Sequence, residues 1–213
     1  NVVNLDLHRA LAAQLCAAAG DSAEALGVLR GSAASAVEPP VLAHANRALH
    51  ARLLIDAGEL PEARALLDDP GRSVELRAAR VDLALAVGDL DAATAALRDS
   101  RPSEDDVRAV IGHRLREAAV LEARGERAGA QEATREAVAA AEGDQLRWPF
   151  LEVTSAEPLL RQYLAAGVGV GFSDDLRQVL EKASPASSSR ARRTAPGMVD
   201  PLTERELAVL AYL

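Results

Sequence analysis

Gly58-Glu59-Leu60-Pro61-Glu62-Ala63-Arg64-Ala65-Leu66-Leu67 reads as the end of one helix, a tight turn and the start of the next. Glycine enters the left-handed conformation without a Cβ clash, so Gly58 closes the preceding helix. Glu59 and Glu62 place negative charge at the positive end of the new helix. Pro61 falls in the first turn, where a missing N–H costs little. Ala63 is small enough to let two helices approach closely.

Working outward, the same frame recurs. Gly20-Asp21 leads to Ala25 and Leu29, and Gly88-Asp89 leads to Ala93 and Leu97. Gly125-Glu126 leads to Ala130, with Thr134 where the others have leucine. Successive glycines are 38, 30 and 37 residues apart. A fixed frame with a period in the thirties marks a helical repeat array. The expected fold is all-α: a right-handed solenoid of antiparallel helix pairs, about ten helices with one trailing helix, because short loops force antiparallel neighbours.

Composition agrees. Of 213 residues, 49% are hydrophobic but only 2% aromatic, which suits alanine- and leucine-rich helices and argues against a β-sandwich or barrel. A net charge of −8 gives the chain as a whole no attraction for nucleic acid. The lone Cys16 excludes an internal disulfide and a cysteine-based metal site. No apolar run approaches the roughly 20 residues needed to span a bilayer, and no signal peptide is expected. A cytoplasmic location without membrane attachment is expected. The start at Asn1 and the single Met198 lead to the expectation of a piece of a longer protein.

Along the chain, helices are predicted over 5–19, from Asp21, from Pro39-Pro40 to Ala57, and over 60–69, 73–87 and 89–99. Asp69-Pro70-Gly71 ends the second pair. Ser103 is expected to cap the next helix, with Glu104, Asp105 and Asp106 in its first turn. Its partner over 126–142 should end near Gly143. Trp148-Pro149-Phe150 reads as extended or turning, with Trp148 a core anchor. Ser155 and Ser173 are expected to cap two closing helices, to Ala166 and Lys182. The predicted organisation is therefore a repeat domain over 1–183, a flexible linker over 184–199, and the first helix of a further domain over 200–213. Thr203 and Glu206 form a capping box there, with Leu202 and Leu207 as a hydrophobic staple.

The repeat frame resembles the tetratricopeptide repeat. That resemblance implies that the alanine after each turn packs on a small residue of the first helix: Ala13, Ala51, Val81 and Ala118, each seven residues before its glycine. The family's aromatic positions are mostly leucine, cysteine or alanine in this chain. Leu202-Thr203-Glu204-Arg205-Glu206-Leu207-Ala208-Val209-Leu210 resembles the L-T-x-R-E-x-x-V-L opening of a LuxR-type helix-turn-helix domain. Ala141-Glu142-Gly143, Arg147 to Leu151 and Leu159-Leu160-Arg161 resemble the segment closing the repeat domain of large ATP-binding, MalT-like LuxR regulators. The resemblance implies the signal-sensing and coupling region of a DNA-binding transcription regulator. Promoter DNA would then be bound only through the rest of the helix-turn-helix domain, whose start carries Leu202, Thr203, Arg205 and Glu206. No G-x-x-x-x-G-K-[ST] occurs, so no cofactor is expected in this stretch; ATP belongs to an N-terminal domain of the parent.

The inner face of a repeat superhelix is lined by the first helix of each pair. Gln14, Arg52, Asp82 and Glu122 are the polar candidates there for an effector, a small molecule or a protein, with His50 and His113 nearby. The plainer reading of the same residues is a solvated groove. Arg9, Arg47, Arg77 and Arg114 recur eleven residues before each glycine; they form either an anion ladder or surface ion pairs. Gly167 to Gly171 follows a helix rather than a strand and is expected to be a loop, not a phosphate cradle. His8, His44, His50 and His113 form no metal-ligand pair, and no catalytic motif is present. Arg190, Arg192 and Arg193 either aid approach to DNA or simply solvate the linker. A scaffold that binds proteins and no small molecule is the alternative, and a homo-oligomer is left open.

Overall fold

The repeated turn forms as its residues require. Gly58, Gly88 and Gly125 take φ of 79°, 77° and 81°. In each, the acid's backbone N–H reaches back five residues: Glu59 to the Leu54 carbonyl at 2.8 Å, Asp89 to Ala84 at 2.9 Å and Glu126 to Leu121 at 2.9 Å. Asp21 makes the same bond to the Cys16 carbonyl, at 2.9 Å. This pattern satisfies carbonyls that the helix end would leave open. Asp21 and Asp89 also cap the following helix, accepting from the Glu24 and Ala92 amides at 3.1 and 2.9 Å. Glu59 and Glu126, one methylene longer, make no such side-chain cap.

The computed structural model describes residues 11–17, 21–30, 40–68, 73–167 and 171–183, and among these every regular element is helical. α1 is helical over 11–17, followed by α2 (Ser22–Arg30), α3 (Pro40–Asp56), α4 (Leu60–Leu67), α5 (Val74–Val87) and α6 (Leu90–Asp99). Then come α7 (Val107–Ala123), α8 (Arg127–Glu142), the short α9 (Trp148–Glu152), a 3-10 turn (Thr154–Ala156), α10 (Glu157–Ala166) and α11 (Phe172–Ala183). No described helix is long and apolar enough to cross a membrane. Outside the described residues lie the readings on His8, Arg9, Gly20, Pro39, Asp69-Pro70-Gly71, Val168 to Val170, the linker over 184–199 with its arginines, and the helix start at Leu202, Thr203, Arg205 and Glu206.

The chain divides into two compact units, residues 39–177 and the terminal stretches 1–38 with 178–213. Within 39–177 each helix from α3 to α8 packs on the next, and α3 also packs on α5 and α5 on α7. The small residues of the frame explain how. Ala13, Ala51, Val81 and Ala118 before the turns, and Ala25, Ala63, Ala93 and Ala130 after them, all have 0% exposure. Val81 and Ala93 share one apolar cluster with Ala84 and Val120, so the third pair and the fourth are joined through it. Thr134, in the leucine position, is also buried, and its hydroxyl donates to the Ala130 carbonyl at 2.8 Å.

Beyond the repeats the structure departs from several expectations. Asp106, not Ser103, caps α7: its carboxylate accepts from the Ala109 amide at 3.0 Å, and Ser103 starts the turn before it. Gly143 stays right-handed (φ −59°), and Gln145 takes the left-handed position at φ 54°. Its neighbour Leu146 makes the five-residue bond back to Ala141. Trp148-Pro149-Phe150 is helical, because proline in a first turn lacks only an N–H that needs no partner. The anchor is Phe150, 2% exposed and edge-on to Phe172 with ring centroids 6.3 Å apart; Trp148 is half-buried. Ser155 lies inside the 3-10 turn, and α10 starts after Ala156 with Pro158 in its first turn. Ser173 is likewise inside α11, whose first turn is closed by Asp174 and Asp175 donating to the Gly171 carbonyl.

Candidate functional site

A groove of about 480 Å³ runs across the first helices of three pairs. α3 contributes Arg52, Ile55 and Asp56; α5 contributes Asp82, Leu85 and Ala86; α7 contributes Ala119, Glu122 and Ala123. These are the same three frame positions, six, three and two residues before Gly58, Gly88 and Gly125. Helical spacing of three and four residues puts each triplet on one face. The register of the repeats therefore builds the groove, and each copy varies what it presents. The remaining wall is a strap from the irregular end: Glu152 of α9, Thr154 and Ser155 of the 3-10 turn, and Pro158 and Leu159 of α10.

Beneath the groove lies a buried ion pair. Arg116 of α7 grips Asp82 of α5 with Nε to Oδ1 at 2.9 Å and Nη2 to Oδ2 at 2.8 Å. Its Nη1 donates to the Gly112 carbonyl at 3.1 Å. A Cβ at Gly112 would come within 3.2 Å of that nitrogen, so glycine leaves room for the guanidinium. Two-pronged pairing fixes both position and angle, which a lysine could not do.

Glu152 is a second junction. It pairs with Arg108 of α7 at 2.8 Å and with Arg52 of α3 at 3.5 Å, and it accepts from the Trp148 side chain. Burial alone would raise its carboxyl, but Arg52, Arg108 and Trp148 together hold it below the usual glutamate range. Thr154 donates to Asp56 Oδ1 at 2.9 Å. The strap thus touches α3 and α7 at once. Asp56 has no arginine of its own. Burial pushes its carboxyl up and the Asp82 charge adds to this, against the Thr154 hydrogen bond and the Arg52 charge.

Of the sequence candidates, the structure brings Arg52, Asp82 and Glu122 together in this groove. Gln14 is half-buried in the other unit, at the equivalent frame position of the first copy. His50 and His113 do not line the groove. His113 stands nine residues before Glu122, about 180° round the helix. Burial holds it below the usual imidazole value, with Arg114, Arg101 and Arg116 adding to this against Glu117. The arginine frame faces elsewhere too: Arg114 pairs with Glu117 at 2.6 Å and with Glu136 of α8 at 3.1 Å. Asp56, Arg116, Glu152 and Thr154 were missed by sequence reasoning. Asp56 was within reach, since it follows Arg52 by four residues on one face; Glu152 and Thr154 carry no repeat signal.

The apolar walls of the groove carry a few convergent charged groups, as small-molecule sites do. Among the described residues no group of histidine, cysteine and carboxylates could hold a metal ion. No family model matches the chain, and no curated protein or solved structure matches it.

Proposed function

We propose that this chain is the signal-sensing and coupling region of a cytoplasmic LuxR-type regulator of the MalT-like group. In this reading the helix pairs form a right-handed tetratricopeptide-like solenoid, and the groove is its inner face. An effector held there changes the behaviour of the helix-turn-helix domain that opens at Leu202-Thr203-Glu204-Arg205-Glu206. ATP would bind a separate N-terminal domain of the parent. The observation that supports this reading best is the groove itself. Three repeat copies supply the same frame positions to it, as a concave repeat surface requires.

The strap supports coupling as well as binding. It lies between the repeats and the C-terminal segment in sequence, and it closes the groove with Glu152 and Thr154. A ligand that widens or narrows the space between α3 and the strap would act on the segment leading to residue 200. The test uses the full-length gene product. A ligand found by thermal-shift screening should change its affinity for its own promoter region by roughly 5- to 150-fold, the usual range of coupling between sites. Ala86→Arg, which fills the groove from an exposed position, should remove that response. A ligand that binds the groove without altering DNA affinity refutes the coupling, and a protein partner captured on this face in its place favours the scaffold.

A further inference from the structure

We propose that the strap is a latch: it stays seated on α7 and lets go of α3 reversibly, so that the groove opens along its α3 edge. This rests on the reading of the groove as an effector site and names the edge that moves to admit one. The two edges are held by different chemistry. On the α7 side the hold is packing. α9 and the 3-10 turn both pack on α7, and the turn packs on α10 as well. The apolar residues of this stretch point inward, with Phe150, Val153 and Ala156 each 2% exposed. Arg108 of α7 adds a charged contact to Glu152 at 2.8 Å. On the α3 side, among the described residues, the hold is two side-chain contacts. Arg52 meets Glu152 at 3.5 Å, longer than a good charge-assisted hydrogen bond. Thr154 donates to Asp56 at 2.9 Å, and that bond is open to water.

Letting go of α3 costs little, because no group is left stranded. Glu152 keeps Arg108 and the Trp148 side chain. Arg52, Asp56 and Thr154 exchange their partners for water, which such exposed polar contacts do at small cost. Letting go of α7 would uncover apolar surface instead. The floor of the groove resists as well, since the Asp82–Arg116 pair between α5 and α7 is buried and two-pronged. The two α3 contacts also break as one. Arg52 and Asp56 are one helical turn apart, and Glu152 and Thr154 are two residues apart on the strap. Ile55 lies beside them in the lining, facing a wall that includes Pro158 and Leu159. Release of the latch therefore widens the apolar part of the groove and leaves its floor intact.

The experiment measures spin-label distances in the 213-residue chain, with Cys16→Ser as background. One label pair, at Ala65→Cys on α4 and Gln162→Cys on α10, reads the α3 edge, because α4 packs on α3 and α10 on the 3-10 turn. A second pair, at Glu132→Cys on α8 and Gln162→Cys, reads the α7 edge, because α8 packs on α7. All three labelled positions are exposed. The first pair should show a short and a long population. Arg52→Met with Thr154→Val should raise the long-to-short ratio at least about threefold, as the loss of two such contacts requires. The second pair should keep one distance throughout. Should the double variant melt early, 1 M salt on the parent chain replaces it, since screening weakens the Arg52–Glu152 contact and should shift the first pair the same way. A single distance for the first pair that neither treatment changes overturns the latch. Equal movement of both pairs overturns the seat on α7. These distances are read without ligand or promoter, so a promoter response insensitive to Ala86→Arg counts against the effector reading and not against the latch.

Discussion

Replacing Arg116 by methionine should be the most damaging single change in the groove. The arginine and Asp82 side chains are 5% and 11% exposed, so neither charge can fall back on water when the other is lost. Methionine keeps most of the volume of the arginine stem and removes three donors: two to the Asp82 carboxylate and one to the Gly112 carbonyl. Breaking a buried pair from one side costs about 3–5 kcal/mol, because the remaining charge keeps its desolvation cost without its partner. Asp56 adds to this, since its own carboxyl already feels Asp82. For a domain stable by about 5–15 kcal/mol, that is about a fifth of the total at the least. With a urea slope near 2 kcal/mol/M, the midpoint should fall by roughly 2 M. The double variant Asp82→Leu with Arg116→Met should recover to within about 1 kcal/mol of the parent, since apolar replacement of a whole buried pair is close to neutral. A single variant costing less than about 1 kcal/mol, or a double variant as unstable as the single, would refute the account.

Gly88→Ala should cost about 1–2 kcal/mol in urea unfolding. A Cβ there meets nothing within 4 Å, so the cost is that of φ at 77° alone. Glu126→Asp should add roughly 0.5–1 kcal/mol in the same assay, by giving α8 the side-chain cap that Asp89 gives α6. Asp56→Asn should raise stability at pH 7. The groups around it are Arg52 on α3, Asp82 on α5 with Arg116 behind it, Glu122 on α7, and Glu152 and Thr154 on the strap. Its folded pKa lies above the ordinary value, so the unfolded chain releases its proton first and stability falls as pH rises; the gain should vanish below about pH 4. Glu152→Gln should do the opposite, costing about 1–3 kcal/mol at pH 7 as two arginines lose a charged partner. Glu152 is held below its usual value, so its contribution is complete above that value and lost as pH falls through the folded one.

The repeat was legible because one turn fixes many things at once. Glycine at a positive φ, the acid after it and alanine five residues on are all dictated by the same helix-to-helix crossing, so the pattern survives changes around it. Arg52, Asp82 and Glu122 came from that register and line one groove. His50 and His113 were attached to them by nearness in sequence, which a helix does not respect; rotation by about 100° per residue carries them away. The strap was misread for a different reason. Trp148 and Ser155 were assigned by residue type, the largest side chain as anchor and the serine as cap. Local geometry decided otherwise, with Phe150 going inward and Ala156 preceding α10. Gln145 shows the limit of composition as a guide, since a left-handed turn can form where glycine is absent.

The hydrogen bond from Thr154 to Asp56 joins residues 98 apart in the chain, whereas the Asp82–Arg116 pair spans 34. Closing the longer loop costs only about 0.9 kcal/mol more than closing the shorter one. It must nevertheless wait until the intervening repeats are in place. Helix pairs built from near neighbours can begin to fold anywhere and spread. The strap therefore belongs after the rate-limiting barrier to folding. Weakening it should leave the refolding rate nearly unchanged and hasten unfolding. The lifetime of the folded repeats, rather than the speed of their formation, is then set by a few residues that lie outside the repeats altogether.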